Sequence, residues 1–210
     1  MKIAIFGANG KTGTLLTQQA LDEGHQVTAY VRKPDSLRLQ NPNLRVISGN
    51  LNDTARLKEA IAGSDTVVST LGGRSLTKQS PEIIAGIHQI ITVMEKEGVN
   101  RLIYLSCMGA GESRNMMSVV IRFFIAGIML RIQLADHTTN EQRIEKSKLQ
   151  WTVVRPAGLK EGPKTGRLKH GSKIAVLKGT PRISRANVAS FILQQVTDAG
   201  YLNKAAWLYG

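Results

Sequence analysis

Residues 1–24 read MKIAIFGANGKTGTLLTQQALDEG, and this stretch decides the fold. An apolar, strand-like run, Lys2–Phe6, leads directly into three glycines and then into a helical pattern, Lys11–Glu23. Gly7 permits a tight turn, Gly10 lets the backbone approach a pyrophosphate, and Gly13 allows the helix to pack closely on the strand. Free N–H groups and the dipole at the start of the helix favour phosphates. This strand–turn–helix context predicts a dinucleotide-binding loop made by Gly7, Asn9, Gly10, Lys11, Thr12 and Gly13.

The alternation of strand-like runs and helical patterns continues along almost the whole chain. The predicted strands are Lys2–Phe6, Gln26–Arg32, Leu44–Ser48, Asp65–Leu71, Arg101–Ser106, Trp151–Arg155 and Ala205–Tyr209, and the predicted helices are Lys11–Glu23, Thr54–Ala62, Pro81–Lys96 and Arg185–Thr197. Short strands separated by helices of 10–15 residues indicate right-handed βαβ units and a parallel sheet. The sequence predicts one α/β domain over residues 1–210: a Rossmann-type, doubly wound, mainly parallel sheet with helices on both faces.

Two segments, at about 109–150 and 158–178, interrupt this alternation of strands and helices. Both follow strand ends, where open α/β sheets bind their ligands, so we expect both to build a substrate cleft. The first contains a helical pattern, Ala135–Lys148, and an apolar stretch, Met116–Ile132, which is open to three interpretations: a core helix, a wall of the cleft or a dimer contact, or a membrane-surface element. In the second, we expect a small hairpin formed by Arg167–His170 and Lys173–Leu177.

Composition excludes several classes of protein. Of the 210 residues, 42% are hydrophobic and 20% are charged, which is typical of a globular chain and not of a disordered one. The single cysteine, Cys107, excludes an intrachain disulfide and fits a reducing compartment. The apolar stretch Met116–Ile132 is short for a membrane span and carries Arg122 and Arg131. We therefore expect a cytoplasmic protein without a membrane span, either a monomer or a homodimer.

Positive charge is concentrated in one part of the chain. The net charge is +13, and Lys148–Arg185 contains ten Lys or Arg residues and one acid, Glu161. Such a segment attracts an anionic partner. Apart from Trp151 it has no interleaved aromatic residues for base stacking, so an anionic or flat aromatic small molecule is expected as the partner rather than nucleic acid.

The end of the second predicted strand indicates the choice of cofactor. It reads Tyr30-Val31-Arg32-Lys33-Pro34, and Arg32 lies 19 residues after Gly13. An acid at this point would accept hydrogen bonds from the ribose hydroxyls of NAD(H), whereas cations suit a 2′-phosphate. Arg32 therefore predicts a preference for NADP(H) over NAD(H).

Taken together, several blocks of sequence resemble the atypical short-chain dehydrogenase/reductases. The blocks are the glycine loop, Val31-Arg32, Ser48-Gly49-Asn50-Leu51, Leu71-Gly72-Gly73-Arg74 and Trp151-Thr152-Val153-Val154-Arg155-Pro156-Ala157-Gly158-Leu159. Within that family, these blocks are most similar to the NAD(P)H-dependent flavin reductase/biliverdin reductase B group. NmrA-like proteins are related to that group. The resemblance implies that Asn50 and Leu51 flank the adenine, that Leu71, Gly72, Gly73 and Arg74 follow the phosphates and ribose, and that Ser106 and the backbone of Pro156, Ala157, Gly158 and Leu159 lie near the nicotinamide.

The chain departs from the wider family at the catalytic pair. A Tyr-x-x-x-Lys pair uses the lysine to lower the pKa of the tyrosine, but none of the four tyrosines here has a lysine four residues later. The aligned positions hold Gln133 and His137. Ser106 and His137 are the candidate catalytic residues, with His137 either a proton donor or simply a residue lining the pocket or the helix surface. Cys107, where the group often has a hydroxyl, is either a redox-sensitive thiol or a small buried residue.

These observations predict an NADPH-dependent reductase that transfers hydride directly to a flat conjugated acceptor of the flavin or bilin type. The resemblance implies that this group works without the Tyr/Lys pair, because such an acceptor takes hydride directly and its proton can come from water. Two alternatives remain open: an NmrA-like regulatory protein that senses NADP(H) without turnover, and an epimerase- or dehydratase-like enzyme. The four histidines show no paired spacing for a metal, so no metal site is predicted.

Overall fold

Strands and helices alternate in the computed structural model, which describes residues 1–73, 78–116, 130–173 and 179–210. Within these ranges the strands are β1 (Lys2–Phe6), β2 (Gln26–Val31), β3 (Leu44–Ser48), β4 (Thr66–Ser69), β5 (Arg101–Leu105), β6 (Gln150–Pro156), β7 (Gly158–Lys160), β8 (Lys169–Gly171), β9 (Arg182–Ser184) and β10 (Lys204–Tyr209). The helices are α1 (Lys11–Asp22), α2 (Thr54–Ile61), α3 (Pro81–Glu97), α4 (Arg131–Glu145) and α5 (Arg185–Gln194). Two short 3-10 helices cover Pro34–Ser36 and Gly111–Met116.

Eight of these strands form one sheet in the order β3-β2-β1-β4-β5-β6-β10-β8. All neighbours are parallel except β8, which runs antiparallel to β10 at one edge. The order 3-2-1-4-5-6 is that of doubly wound dinucleotide-binding sheets, so the predicted Rossmann-type fold is confirmed. β7 and β9 form a separate parallel pair, which the sequence did not predict.

Helices cover both faces of the sheet because alternate strand residues point to opposite sides. On β1, Ile3 and Ile5 belong to one buried cluster, which includes Leu16 of α1 and Phe191 of α5. The intervening Ala4 and Phe6 belong to a second cluster, with Leu57 of α2 and Ile90 of α3. The near-continuous apolar strands of the sequence therefore reflect a sheet that is buried on both sides.

Most element boundaries lie within one or two residues of prediction, and the differences matter at the strand ends. β2 ends at Val31, which leaves Arg32 in the following loop, and β4 ends at Ser69 instead of Leu71. The last helix ends at Gln194 instead of Thr197. Helix α3 starts at Pro81 as predicted and stops at Gly98, whose φ of 70° is left-handed.

The two excursions are only partly described. Of the Met116–Ile132 stretch, residues 117–129 lie outside the described residues; Met116 ends a 3-10 helix, and α4 begins earlier than predicted, at Arg131. The first arm of the predicted hairpin is present as β8, but β8 pairs with β10, and most of the second arm, Lys173–Leu177, lies outside the described residues. Among the helices that the structure describes, none is long and apolar enough to cross a membrane.

Candidate functional site

The glycine loop lies at the carboxyl edge of the sheet, between β1 and the amino end of α1. Gly7 has a φ of +80°, and its carbonyl accepts a hydrogen bond of 2.9 Å from the N–H of Gly10. The hydroxyl of Thr70, just after β4, donates to the Gly7 carbonyl at 3.0 Å. The loops that follow β1 and β4 are therefore joined at the point where parallel Rossmann sheets bind a dinucleotide.

Side chains at the three glycines would fill this loop. A Cβ on Gly7 would lie 2.8 Å from the Thr70 hydroxyl, and a Cβ on Gly10 would lie 3.2 Å from the Gly7 carbonyl oxygen. A Cβ on Gly13 would overlap that same oxygen. Helix α1 begins without a side-chain cap and without an acid in its first turn, so its N–H groups remain available to an anion. The loop fits the pyrophosphate of a dinucleotide.

The residues predicted to read the ribose lie beside this loop. Arg32 and Lys33 are exposed after β2. The Asn9 amide donates to the Ser36 hydroxyl at 3.0 Å, and that hydroxyl donates to the carbonyl of Lys33 at 2.6 Å. The backbone of Lys33, next to Arg32, is therefore tied to the glycine loop through Ser36 and Asn9.

The segment predicted to flank the adenine follows β3. Asn50 is exposed and Leu51 is half-buried. The hydroxyl of Tyr30, on β2, donates to the carbonyl of Asn50 at 2.8 Å, and burial raises the pKa of Tyr30 to about 12. Tyr30 thus stays protonated and fixes the start of this segment.

Helix α4 forms the inner wall of the site, beside the loop that follows β4. Gln133 donates to the carbonyl of Gly73 at 3.3 Å, and Asp136 accepts from the backbone N–H of Ser80 at 3.0 Å. A Cβ on Gly72 would lie 3.8 Å from Nε2 of His137. Of the predicted Leu71–Arg74 segment, Leu71, Gly72 and Gly73 therefore lie at this wall, whereas Arg74 is outside the described residues.

His137 belongs to a polar chain inside that wall. Its Nδ1 is 2.8 Å from the hydroxyl of Tyr104, on β5, and Asn140 donates to that hydroxyl at 3.0 Å. Burial lowers the pKa of His137 to about 4, against a smaller opposite effect of Asp136, so the ring is neutral at physiological pH. At that pH His137 donates or accepts a hydrogen bond but carries no charge.

Ser106 and Cys107 follow β5 at the same edge. Ser106 is 4% exposed, and its hydroxyl has no hydrogen-bond partner among the described residues. Burial raises the pKa of Cys107 to about 12, with a smaller contribution from Glu141, which opposes thiolate formation. Cys107 is half-buried, and its raised pKa opposes a role as a redox-sensitive thiol.

The predicted nicotinamide segment, Pro156–Leu159, is engaged within the protein. The N–H of Met108 donates to the carbonyl of Pro156 at 2.8 Å, and the N–H of Ala157 donates to the carbonyl of Leu208 at 2.8 Å. Gly158 and Leu159 belong to β7 and pair with β9. These contacts fix the segment, which runs from the end of β6 into β7.

A buried ion pair supports this side of the site. Arg155 of β6 forms two hydrogen bonds to Glu141 of α4, of 3.1 and 2.9 Å, and a third of 3.2 Å to Glu112. Glu141 is therefore committed to Arg155, and its i,i+4 spacing from His137 does not make a metal site. No group of His, Cys, Asp and Glu among the described residues is arranged to hold a metal ion.

The basic segment is not all directed to the site. Glu161 contacts Lys11, at the amino end of α1, at 3.6 Å, and Arg185, at the amino end of α5, at 2.8 Å. Lys164 contacts Glu23, at the opposite end of α1, at 3.6 Å. A helix of 12 residues is about 18 Å long, so Lys164 lies far from the phosphate end of α1. In this structure the ammonium group of Lys164 therefore contacts the carboxyl end of α1 and not its phosphate end.

Sequence reasoning missed the partners that organise the site. Thr70, Tyr104 and Asn140 act through contacts between residues 33 to 64 positions apart, and no local motif marks them. One signal was available: α4 carries polar residues at Gln133, Asp136, His137, Asn140 and Glu141, spaced as one helical face. A polar face on a helix that packs against a sheet indicates that this face lines a functional site.

Comparison with known proteins gives the family. The model of the NAD(P)H-binding family matches residues 7–199, and the chain belongs to that family. An uncharacterized sugar epimerase of Bacillus subtilis, YhfK, is 25% identical over 98% of this chain and 92% of its own length. The photosystem II assembly factor Ycf39 of Synechocystis is 24% identical over 77% of this chain, but only 46% of its own length.

Solved structures show the same fold. A short-chain dehydrogenase/reductase of Veillonella parvula, in complex with NADP, superposes with a TM-score of 0.84 over all of this chain and 94% of that one, at 16% identity. ChuY, an anaerobilin reductase of Escherichia coli O157:H7, has a TM-score of 0.81 over all of this chain and 97% of that one, at 23% identity. The chain is thus a member of the NAD(P)H-binding family that shares its fold with these two solved proteins.

Proposed function

We propose that this protein is an NADPH-dependent reductase of flat conjugated acceptors, of the flavin or bilin type. The observation that carries the proposal is the inner wall of the site. In a Tyr-x-x-x-Lys pair, the tyrosine is the acid and the lysine is the cation that activates it. At the aligned positions of this chain, Gln133 donates to a backbone carbonyl and His137 is neutral. An acceptor that takes hydride directly is compatible with this wall, whereas alcohol–ketone interconversion through a tyrosinate is not.

The chain's own residues hold the cofactor in this proposal. The glycine loop and the amino end of α1 take the pyrophosphate, Arg32 and Lys33 take the 2′-phosphate, and Asn50 and Leu51 flank the adenine. Leu71, Gly72 and Gly73 line the phosphates and ribose. When NADPH is bound, its nicotinamide supplies the hydride, and a proton from water completes the reduction of the acceptor.

Near the reacting end, the chain orients the substrate and limits access of water. Ser106 and the fixed backbone of Pro156–Leu159 border the nicotinamide, and His137 presents one ring edge at Gly72. The described residues of the two excursions, 109–116, 130–150 and 158–173, border the acceptor cleft. ChuY, an anaerobilin reductase that shares this fold over the whole chain, supports a flat acceptor of the bilin type.

The test is a turnover assay with purified protein and NADPH. Oxidation of NADPH is followed by absorbance in the presence of FMN, biliverdin, a simple ketone and a nucleotide sugar, each at several concentrations. We expect steady oxidation with FMN or biliverdin and none with the ketone. Gly7→Val, which fills the loop, serves as the inactive control.

Two outcomes would overturn the proposal. Tight NADPH binding without turnover of any flat acceptor would favour a regulatory sensor of NADP(H). Conversion of the nucleotide sugar without net NADPH oxidation would favour an epimerase.

A further inference from the structure

The Tyr104 hydroxyl joins β5 to α4 through two hydrogen bonds. Tyr104 is fully buried and Asn140 is 1% exposed. The Asn140 amide nitrogen is 3.0 Å from the hydroxyl, and Nδ1 of His137 is 2.8 Å from it. A buried phenol between two nitrogen partners has no water to share its proton with, so the chain itself decides where each proton lies.

With the amide nitrogen of Asn140 toward Tyr104, as in this structure, the direction of the first bond sets that of the second. An amide NH₂ only donates, so the Tyr104 oxygen accepts from Asn140. The phenol still has its one proton to donate, and Nδ1 of His137, 2.8 Å away, is placed to accept it. A neutral imidazole has one N–H, and with Nδ1 accepting, that proton lies on Nε2.

Nearby charges do not disturb this pattern at neutral pH. Burial lowers the pKa of His137 to about 4, with Asp136 acting weakly in the opposite sense. Burial also raises the pKa of Tyr104, and Cys107, Glu141 and Asp136 add to that rise, while the Asn140 hydrogen bond opposes it. Both rings therefore keep the protonation that these two hydrogen bonds require.

The proton-bearing edge of His137 faces the proposed cleft. A Cβ on Gly72 would lie 3.8 Å from Nε2 and 3.9 Å from Cε1, and Gly72 is exposed. Nε2 has no hydrogen-bond partner among the residues that the structure describes. The N–H group at Nε2 of His137 thus lies on the inner wall, beside the predicted cofactor segment, and has no acceptor among the described residues.

We infer that Tyr104 and Asn140 are positioning residues that keep the proton of His137 on Nε2, so that the ring donates a hydrogen bond to a carbonyl oxygen of the bound acceptor. The acceptor's part in this inference rests on the proposed function. Flavins and bilins both carry ring carbonyls, and the oxygen gains negative charge as hydride adds to the conjugated system. A fixed donor at that oxygen stabilises the developing charge.

The position of the proton is measured first, without cofactor or acceptor. Two-dimensional ¹⁵N NMR of the imidazole rings distinguishes the two neutral tautomers, and His137→Gln identifies the signal among four histidines. We expect a neutral ring with the proton on Nε2 at pH 7. In Tyr104→Phe the ring should populate both tautomers. In Asn140→Asp the introduced carboxylate accepts from Tyr104, so Nδ1 of His137 should become protonated. Thr139→Ala, on the same helix, should leave the signal unchanged.

Kinetics then test the link to the acceptor. A hydrogen bond worth about 1 kcal/mol corresponds to roughly fivefold, so Tyr104→Phe and His137→Ala should each lower kcat for FMN or biliverdin by about tenfold or less, with the Kd of NADPH unchanged. Tyr104→Phe should add nothing in a His137→Ala background, because Tyr104 acts through His137.

The outcomes separate this inference from the proposed function. A proton on Nδ1 in the unmodified protein, or the same tautomer in both variants, would overturn the inference, as would additive losses in the double variant. The expected tautomers in a protein that reduces no flat acceptor would overturn the proposed function, while the placement of the proton by Tyr104 and Asn140 would stand.

Discussion

The amide of Asn9 and the hydroxyl of Ser36 are joined by a hydrogen bond of 3.0 Å, which couples the glycine loop to the loop after β2. Ser36 in turn bonds the carbonyl of Lys33, so the backbone that carries the two cations is held at a fixed place beside the phosphate loop. A rigid link of this kind reduces the conformational entropy that the loop loses when it binds a phosphate. The cations after β2 are therefore carried by a loop that is held beside the phosphate loop, where they can contact a 2′-phosphate.

Arg32→Ala should weaken NADPH binding by about tenfold to a hundredfold and leave NADH nearly unchanged, because a hydrogen bond between charged groups contributes about 1.5–3 kcal/mol. Binding of both cofactors is measured by calorimetry or fluorescence. Arg45→Ala removes the same charge on β3, where Arg45 pairs with Glu59, and should change neither affinity. Equal losses for NADPH and NADH would show that Arg32 does not contact the 2′-phosphate.

Gly13→Ala should destabilise the protein and reduce its affinity for either cofactor. Within a helix this substitution normally adds about 1 kcal/mol of stability. Here the sign reverses, because the new Cβ would overlap the carbonyl oxygen of Gly7 and displace the loop. Thermal unfolding and cofactor titration measure the two effects. Gln18→Ala, at an exposed position of α1, serves as the control, and an unchanged Gly13→Ala variant would contradict the close packing.

The fold was predictable where local signals repeat. β1, β3, the starts of α1, α2 and α3, and the stop at Gly98 follow from apolar runs and from glycine or proline beside them. The β7–β9 pair was not predictable, since each strand has three residues and the pairing joins segments 24 positions apart. From the sequence alone, Tyr104 is predicted to be an ordinary aromatic residue of a core strand. Only the packing of β5 on α4 turns it into a hydrogen-bonding centre.

Acid should destabilise the protein partly through His137. The pKa of this ring is about 4 in the folded protein and 6.5 in its ordinary state, so between these values the unfolded chain binds more protons. The contribution is fully present above pH 6.5 and is lost as the pH falls toward 4, up to about 2 kcal/mol between pH 7 and 5.

Urea unfolding at pH 7 and pH 5 measures this contribution. His137→Gln should lose less stability over that interval than the unmodified protein. His88→Gln, at an exposed histidine of α3, should behave like the unmodified protein. If the unfolding free energy changed with pH by the same amount in all three proteins, His137 would not be buried in its neutral form.

Glu141→Gln should cost about 3–5 kcal/mol of unfolding free energy, because it removes the buried carboxylate that pairs with the buried Arg155 and leaves only the exposed Glu112. Glu112 is 63% exposed, so Glu112→Gln should cost less than about 1 kcal/mol. Combining Glu141→Leu with Arg155→Met removes both charges and should recover much of the loss. Chemical denaturation measures all three, and equal effects at Glu112 and Glu141 would contradict the difference in burial.

The acceptor's charge should matter through Lys160 and not through Lys164. Lys160 precedes Glu161, which contacts Lys11 at the phosphate end of α1, whereas Lys164 contacts Glu23 at the other end. If the acceptor's anionic tail lies near the phosphate end, FMN should have a lower KM than riboflavin. The difference should shrink at high salt, where the Debye length falls from about 8 Å to about 3 Å. The kcat should change little, because the tail is bound equally in the ground and transition states.

Two matched variants locate the contact. Lys160→Ala should raise the KM for FMN and leave that for riboflavin unchanged, and Lys164→Ala should alter neither. Because Lys160 is exposed, the expected change is about threefold to fivefold, which corresponds to roughly 1 kcal/mol or less. Riboflavin as good as FMN at both salt concentrations would mean that the basic segment faces away from the acceptor. A larger effect of Lys164→Ala would mean that the loop after β7 leaves α1 when the acceptor binds.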